Sequence, residues 1–517
     1  MTTARLLCGP LFHGTGEGVN LEHEKDIERL RKAALLLEAE NRRLSAAVVE
    51  LTRKLAMARG EDARLLQLRL QELEDQLAKR NAMLFGSSSE KRPRAKPEQA
   101  EKTPQRGHGP KPQPALPVVE QVLKLDEADR VCNSCGGELQ AWEGQFEESE
   151  EIDVVERTWV VKRIRRQKYR CRCGGCIETA LPPMKLFEGA RYSIAFAIDV
   201  AVQKYLDHLP LERQVRIMLR EGLDVDSQTL WDYLERLARL LQPAYDRLPE
   251  FLFTQDVLGA DESRWPLLGA PAGERSKWHI WALSATQAVF YAILDSRSAD
   301  AARAVLSGYR GVIMTDGYRA YESLRKQGEH FTQAYCWSHV RRAFYDIRER
   351  FPQAEQVLEL IGALYEVERQ CPTGPPGDER RRQLRNEKSR DIIRRIQQWA
   401  LEQRALPESG LGKAISYMSG LWPGLVRFLD DPRIPIDNNG SERALRGPVV
   451  GRKNHYGSRS RRGTEVAALF YSLLESAKLC GLEPKSYLRT AVSAALRGEH
   501  IPLPHEIARS AAQPVAA

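Results

Sequence analysis

Apolar positions repeat with different periods along the chain, and each period predicts a different kind of element. Near the N-terminus leucines recur at every seventh residue, at Leu30, Leu37, Leu44 and Leu51. With these at heptad position d, Asn41 takes a polar a position, which favours a parallel dimer in one register. The pattern predicts a leucine-zipper coiled coil over 21–85, dimeric or trimeric. A single amphipathic helix folded back on its own protein is the alternative.

Helical periodicity returns in the segment 183–252. Two apolar stripes are separated by Gly222, and Ser227 is the expected N-cap of the second helix. A helix, a turn and a second helix are compatible with a DNA-reading helix-turn-helix. An ordinary helical hairpin has the same pattern, so both interpretations stay open.

The segment 253–462 changes to strand periodicity with helical connections. A β-prone run reaches Asp261, two consecutive antiparallel strands follow, then a helix, then a short strand that ends at Asp316. This order predicts an RNase H-like α/β core. A charged helical stretch at about 344–410 predicts an insertion into that core before Glu442.

The other segments have simpler patterns. They are an unassigned leader over 1–20, a basic Ser- and Pro-rich linker over 86–117, a cysteine-containing domain over 118–182, C-terminal helices over 463–500 and a tail over 501–517. The predicted fold class is therefore a multidomain α+β protein. It comprises a coiled coil, a zinc-ribbon-like domain, a helical segment, the core with its insertion, and the C-terminal helices.

Composition and charge narrow the function classes. The chain has 517 residues, 42% of them hydrophobic and 29% charged, with a net charge of +8, so we expect several domains and a polyanionic partner. Positive charge is concentrated: 443–462 holds seven Lys/Arg and 157–172 holds eight, without an acid in either. No apolar run is long enough for a membrane span, and no signal-peptide core opens the chain. We therefore expect a cytoplasmic protein that is not bound to a membrane.

Five of the nine cysteines have metal-site spacing. Cys132 and Cys135 form one turn, and Cys173 and Cys176 form a second with the same two-residue spacing. Four thiolates are a structural Zn²⁺ site without an open position for chemistry. Cys171 is an alternative to Cys173 as a ligand.

Three acids have contexts that suit a catalytic metal site: Asp261 and Asp316 at strand ends, and Glu442 at a helix start. Together three carboxylates repel one another unless Mg²⁺ or Mn²⁺ binds between them. Two such ions can activate a nucleophile and stabilise the leaving oxygen in phosphoryl transfer. Glu262 is excluded because neighbours on a strand point to opposite faces. For the third position Asp430, Asp431 and Asp437 are alternatives.

Basic side chains surround the predicted acids and are candidates for contacts with DNA. They are Arg443, Arg446, Arg452 and Lys453 after Glu442, and Arg341 and Arg342 beside His339. Asn438 is the expected N-cap of the helix that carries Glu442. A solvated basic helix face is the alternative interpretation of Arg341 and Arg342.

The chain resembles the DDE transposases of the insertion-sequence-66 family over nearly its whole length. The matching stretches are LFGSSSEK, VCNSCGGEL, HLPLERQ, GADES, TDGYRAY, CWSHVRRAF, DNNGSERALRGPVVGRKN and YSLLESAKLCGLEPKSYL. The resemblance implies an RNase H-like core with Asp261, Asp316 and Glu442 as catalytic triad. It also implies a zinc finger, a leucine zipper, binding to terminal inverted repeats, accessory-protein partners and a place on the bacterial nucleoid. One departure is that Gly174 stands where the family has its last zinc cysteine.

The sequence therefore predicts a transposase that binds double-stranded DNA, cuts the element's ends and joins them to a target. A catalytically silent DNA-binding regulator, or a domesticated remnant, is the alternative. A nuclease or resolvase with the same core is a third possibility.

Overall fold

A computed structural model describes residues 157–170, 177–269, 277–372 and 374–512, with Glu50 and short stretches between 118 and 152. The chain divides into two compact units, Phe85–Lys162 and the remainder. In the smaller unit the Arg157 guanidinium lies 4.2 Å from the ring centre of Trp159. The predicted coiled coil lies outside the described residues except for Glu50.

The larger unit is built around a five-stranded mixed sheet. Two short strands, β1 (Lys168–Arg170) and β2 (Ile177–Thr179), form a separate antiparallel pair. The strands of the main sheet are β3 (Val257–Pro266), β4 (Lys277–Ser284), β5 (Val289–Leu294), β6 (Val312–Thr315) and β7 (Thr332–Tyr335). Their spatial order is β5-β4-β3-β6-β7. β3, β4 and β5 pair antiparallel, whereas β6 and β7 run parallel to β3.

Helices precede, connect and follow these strands. Before the sheet come α1 (Ile194–Tyr205), α2 (Leu211–Arg220) and α3 (Ser227–Phe253). Between the strands lie α4 (Ala299–Leu306) and α5 (Arg319–Lys326), and α6 (Trp337–Tyr345) directly follows β7. After it come α7 (Ala354–Arg369), α8 (Asp378–Leu384), α9 (Arg390–Glu402), α10 (Gly410–Leu425), α11 (Asn439–His455), α12 (Arg461–Leu479), α13 (Pro484–Leu496) and α14 (Pro504–Ala512). The predicted order of a strand, two antiparallel strands, a helix and a strand before Asp316 is confirmed.

The helical segment before the sheet differs from expectation at the start of α3. Its N-cap is Asp226, whose carboxylate accepts the Thr229 N–H at 2.6 Å. The expected cap, Ser227, is instead the first helical residue and donates its hydroxyl to Glu212 at 2.6 Å. The cap prediction was wrong by one residue because a carboxylate and a hydroxyl stand side by side, and both residue types can cap.

The charged stretch after α6 shares a core with the sheet. Met314 of β6 and Ala334 of β7 are buried in one apolar cluster with residues of α6, α7, α9 and α10. Helical structure continues to Leu425, beyond the predicted limit of about 410. These helices therefore stabilise the edge of the sheet that β7 forms.

The opposite edge of the sheet, β5, is covered by α12. The hydroxyls of Ser472 and Ser476 accept the N–H groups of Tyr291 and Val289 at 2.9 and 3.0 Å. These serines are one helical turn apart, so both face the same strand. They satisfy donors that an uncovered edge strand would present to another chain.

The C-terminal segment expected as a tail contains α14. His505 stacks on Phe251 of α3 with ring centroids 3.5 Å apart, and Arg247 forms a 3.5 Å ion pair with Glu506. Such tertiary contacts explain why a short segment with a weak sequence signal is helical. In the described part of the chain, every helix is too short or too polar to cross a bilayer.

Candidate active site

Asp261 on β3 and Asp316, the residue directly after β6, lie at equivalent positions along two neighbouring strands. The parallel register pairs Gly259 of β3 with Met314 of β6. Asp261 lies two residues after Gly259, and Asp316 lies two residues after Met314. Residues at one level of adjacent parallel strands, about 4.8 Å apart, point to the same face. The expectation of a strand end was wrong for Asp261, because antiparallel pairing with β4 continues β3 to Pro266. It holds for Asp316, which directly follows β6.

The N-terminus of α11 brings Glu442 to that same face. Gly259 lies two residues before Asp261, so both point to one face of β3. A Cβ added to Gly259 would lie 2.0 Å from the Ser441 hydroxyl oxygen. Ser441 also forms a 2.8 Å hydrogen bond with Ser284 of β4. The absence of a side chain at Gly259 therefore allows the first turn of α11, with Glu442, to lie directly on the sheet.

Asn438 is the N-cap residue of α11, but its side chain makes no capping hydrogen bond. Its amide group instead donates to the carbonyl oxygen of Ala260 at 3.0 Å. Its backbone N–H donates to the sulfur of Cys336 at 3.2 Å. The predicted N-cap position is confirmed, and the side chain bonds elsewhere because a buried carbonyl on β3 needs a donor. The result is a direct link between the strand of Asp261 and the helix of Glu442.

The electrostatics of Asp261 show that the three acids are near one another. Burial, followed by the charge of Glu262 and then by those of Asp316 and Glu442, raises the pKa of Asp261 to about 7 against the opposing hydrogen bond from the Glu262 N–H. That N–H donates to Asp261 at 2.8 Å. A carboxyl group surrounded by other carboxylates is the arrangement that a cation stabilises.

The loop after β6 fixes Asp316. Its carboxylate accepts the Tyr318 N–H at 2.8 Å, and its carbonyl oxygen accepts the Tyr417 hydroxyl of α10 at 2.8 Å. Gly317 has φ +93°, a conformation that a side chain disfavours. The tight Asp-Gly turn thus sets the direction of the Asp316 carboxylate.

Glu262 lies on the opposite face of β3, as predicted, and belongs to a separate buried cluster. Its side chain is 1% exposed. It accepts hydrogen bonds from Arg297 at 2.8 and 2.5 Å and from the Tyr321 hydroxyl at 2.8 Å. Arg297 also lies 3.8 Å from the ring centre of Tyr318, and its carbonyl accepts the Tyr318 hydroxyl at 2.6 Å. This cluster connects β3 to the loop of Asp316.

His339 lies beside Glu442, at the first turn of α6. The ligand atoms of Cys336, His339 and Glu442 all lie within 4.8 Å of one another. His339 Nδ1 and Glu442 Oε1 are 3.7 Å apart. Both atoms are buried, and the described part of the chain offers neither of them a hydrogen-bond partner.

The residues present fit a divalent cation. Three carboxylates on one face provide oxygen ligands, which Mg²⁺ and Mn²⁺ prefer. A buried Glu442 oxygen without a donor among the described residues costs free energy that a metal ion would offset. About a third of the Glu442 side chain is exposed (34%), so the site is open to a substrate.

The predicted DNA-contacting cations lie along α11 and α6. Arg443, Arg446, Lys453 and Arg342 are exposed, and Arg341 and Arg452 are half-buried. Arg452 donates to Ser263 of β3 at 3.1 Å, and burial followed by the charge of Arg264 lowers the pKa of Arg452. Two guanidinium groups close enough to repel each other are suited to an anion such as a phosphate.

The predicted zinc ligands lie largely outside the described residues. Of Cys132, Cys135, Cys171, Cys173 and Cys176, only Cys135 is described, and it is exposed. β1 and β2 form an antiparallel pair on either side of 171–176, with Arg170 opposite Ile177. The choice of ligands therefore stays a prediction.

Comparison with known proteins identifies the family. The sequence model of the IS66 transposase family matches residues 189–466, and that of the zinc-finger binding domain of transposase IS66 matches residues 129–174. The chain belongs to the IS66 transposase family and carries its zinc-finger domain. The zinc-finger match includes Cys171 and Cys173 and ends before Cys176.

Two relatives come from Sinorhizobium fredii (strain NBRC 101917 / NGR234), and both are named as uncharacterized proteins. y4jD is 33% identical over 405 residues, covering 74% of this chain and 78% of the relative. y4qI is 30% identical over 401 residues, covering 74% and 73%. A chain in the crystal structure of the Mos1 mariner paired end complex with Mn is 11% identical to this chain. The match covers 50% of this chain and 82% of that one, with a TM-score of 0.12. A score that low carries no argument about fold or function.

Several residues around the site have roles that the sequence did not predict. Gly259 had a usable signal, because a glycine inside a strand often marks a close approach of another element. Arg297, Tyr321 and Ser441 had none, since their partners are distant in the sequence.

Proposed function

We propose that the protein is the transposase of an insertion sequence, which binds terminal inverted repeats and catalyses metal-dependent DNA strand cleavage and strand transfer. The main support is that Asp261, Asp316 and Glu442 share one face of the sheet and that the latter two raise the pKa of the first. Membership of the IS66 transposase family supports transposition as the class of activity.

The proposed core is RNase H-like. Three antiparallel strands followed by two parallel ones, in the spatial order β5-β4-β3-β6-β7, support this assignment. In the proposal Asp261 on the central strand, Asp316 after its parallel neighbour and Glu442 on α11 are the catalytic triad. The helices 354–425 are the insertion between the second and third acids.

In this proposal Asp261, Asp316 and Glu442 would hold Mg²⁺ or Mn²⁺. When bound, such ions lower the pKa of a water or a 3′-hydroxyl and neutralise charge that develops on the phosphate. The chain's own groups orient these ligands: Tyr318 N–H fixes Asp316, and Asn438 connects α11 to the strand of Asp261. Phosphoryl transfer then depends on positioning and electrostatics rather than on a covalent protein nucleophile.

Basic residues are proposed to position the DNA. Arg443 and Arg446 follow Glu442 on exposed faces of α11 and can contact phosphates next to the cut. Arg452, Lys453, Arg341 and Arg342 extend this positive surface. Contacts of this kind are independent of base sequence and weaken steeply with salt.

The remaining assignments concern partners. We assign Zn²⁺ to cysteines of the zinc finger, base recognition to α2 and α3 with their Gly222 turn, and self-association to the zipper over 21–85. Gly222 has φ +86°, which suits a tight turn between two helices. Accessory proteins of the same element are further candidate partners, and the bacterial nucleoid is the proposed place of action.

The test is a reaction with duplex DNA that carries the terminal inverted repeats flanking the coding sequence. End binding is followed by gel shift, cleavage with end-labelled strands, and transfer with a supercoiled target plasmid. The wild-type chain is expected to cut and join only with Mg²⁺ or Mn²⁺. Asp316→Asn should bind the ends with unchanged affinity and leave them uncut. The control Asp300→Asn, at a side chain that is 87% exposed, should react like the wild type.

Each outcome separates the candidate functions. Cleavage by Asp316→Asn at the wild-type rate contradicts the proposed site. Binding by the wild type without nicking favours the silent regulator. Cutting without strand transfer favours a nuclease or resolvase.

A further inference from the structure

The start of α6 is attached to the segments that carry two of the proposed catalytic acids. The Cys336 N–H donates to the carbonyl of Thr315, the residue before Asp316, at 3.1 Å. The Trp337 N–H donates to the carbonyl of Ile436, six residues before Glu442, at 3.1 Å. These two bonds attach the first turn of α6 to the segments that lead to Asp316 and Glu442. The backbone of His339 is therefore placed beside the site by contacts that do not involve its own side chain.

The contact between His339 and Glu442 is not a hydrogen bond. His339 Nδ1 and Glu442 Oε1 are 3.7 Å apart, longer than the 2.7–3.2 Å of an N–H···O bond. Both atoms are buried, and within the described residues both lack a hydrogen-bond partner. Two unsatisfied polar atoms that face each other are unfavourable unless a third group binds both.

A metal ion accounts for this spacing. Neighbouring nitrogen and oxygen ligands on one octahedral ion, each about 2.1 Å from it, lie about 3 Å from each other. A side-chain shift of about 0.7 Å brings the observed pair, at 3.7 Å, to that distance. Both side chains are 34% exposed, so an ion can reach them from solvent.

We propose that His339 is a metal ligand of the catalytic site and shares one divalent ion with Glu442. The inference rests on the proposed function, because Glu442 is the acid assigned to that ion there. An imidazole ligand favours first-row transition metals over Mg²⁺, which prefers oxygen ligands alone. The site therefore binds Mn²⁺ more tightly, relative to Mg²⁺, than three carboxylates alone would.

Cys336 has a different role in this arrangement. Its sulfur lies within the same 4.8 Å group but already accepts the Asn438 N–H at 3.2 Å. It joins the start of α6 to the start of α11 and so positions His339 and Glu442.

The experiment measures nitrogen coordination directly. Mn²⁺ is added to the full, zinc-loaded chain without affinity tag or DNA, and pulsed electron paramagnetic resonance records the coupling of ¹⁴N nuclei to the bound ion. The wild type is expected to show a histidine nitrogen coupling. His339→Gln should lose it and bind Mn²⁺ about tenfold more weakly, with a smaller change for Mg²⁺. The control His330→Gln, at an exposed histidine before β7, should retain it.

The outcomes separate this inference from the proposed function. Bound Mn²⁺ without nitrogen coupling in the wild type, or coupling unchanged in His339→Gln, overturns the role of His339 and leaves the carboxylate site intact. Failure of the wild type to bind Mn²⁺ at all overturns the metal site itself, and the inference with it.

Discussion

The side-chain amide of Asn438 donates a 3.0 Å hydrogen bond to the carbonyl oxygen of Ala260. Asn438 begins the helix that carries Glu442, and Ala260 precedes Asp261, so one bond fixes the separation of two proposed metal ligands. Asn438 is 2% exposed and Ala260 is 1% exposed, so water does not readily replace this bond. The bond therefore contributes both to stability and to the geometry of the site.

Replacing Asn438 by alanine removes the donor and leaves a buried carbonyl without a partner. We expect Asn438→Ala to lower the free energy of unfolding by about 1–3 kcal/mol. Urea denaturation measures this change. Asn386→Ala, at an exposed helical position, is the control and should cost less than about 0.5 kcal/mol. Equal stability losses in the two variants would show that the bond to Ala260 is not important.

Gly259→Ala tests the close approach of α11 to the sheet. The new Cβ would lie 2.0 Å from Ser441 Oγ, so the first turn of α11 must move away. We expect a loss of about 1–3 kcal/mol in the free energy of unfolding, since overpacking costs this much, together with weaker Mn²⁺ binding. Adding Ser441→Ala removes the atom in closest contact and should restore part of both losses. A stable Gly259→Ala variant with wild-type Mn²⁺ affinity contradicts this packing.

Arg297→Ala should lower the free energy of unfolding more than Glu262→Gln does. The group left without its partner is buried in the first variant and exposed in the second. The Glu262 side chain is 1% exposed, whereas that of Arg297 is 42% exposed. Removing Arg297 leaves a buried carboxylate with the Tyr321 hydroxyl, at an expected cost of about 2–4 kcal/mol. Glu262→Gln removes the buried charge and leaves Arg297 able to reach water, so about 1–2 kcal/mol is expected. Urea denaturation that gives the reverse order would refute this interpretation.

The buried side chain of His455 is expected to make the free energy of unfolding sensitive to acid. Burial, followed by the charge of Lys204, lowers the pKa of His455 to about 4 from an ordinary 6.5. The unfolded chain therefore binds a proton in this interval that the folded chain does not bind. The stability contribution is complete above pH 6.5 and is lost as the pH falls towards about 4.

His455→Gln can keep hydrogen bonds to the Gly457 carbonyl and the Tyr471 hydroxyl without titrating. We expect its melting temperature to fall less steeply than that of the wild type across the same interval. Comparing the two slopes isolates His455 from other buried histidines such as His208, whose pKa is also lowered by burial. Parallel slopes would exclude His455 as a source of acid sensitivity.

The sequence predicted the order of strands from β3 to β6 because this order depends on local pattern. Alternation of apolar residues marks β4 and β5, and an Asp-Gly turn marks the end of β6 at Asp316. The position of Asp261 in the middle of β3 was not predicted, since the length of that strand is set by pairing with β4. Strand limits depend on partners that local pattern does not show.

The roles of side chains that depend on tertiary contacts could not be predicted from the local sequence pattern either. Asn438 has the residue type of a helix cap, but its amide group bonds to Ala260 instead. Arg297 looks like a surface cation after β5, yet it neutralises the buried Glu262. Helix α14 is stabilised by the stacking of His505 on Phe251, a pair separated by most of the described chain. Predicting any of these contacts requires the fold to be known first.

The central claim is that Asp261, Asp316 and Glu442 form one binding site for a divalent ion. Calorimetric titration of Mn²⁺ into the zinc-loaded chain and into Asp261→Asn, Asp316→Asn and Glu442→Gln tests it most directly, with Asp300→Asn as control. Each of the three replacements is expected to weaken binding by about tenfold or more, because changes in a metal site's ligand shells cost that much. Asp300→Asn should bind like the wild type, whereas wild-type affinity in all three site variants would contradict the account.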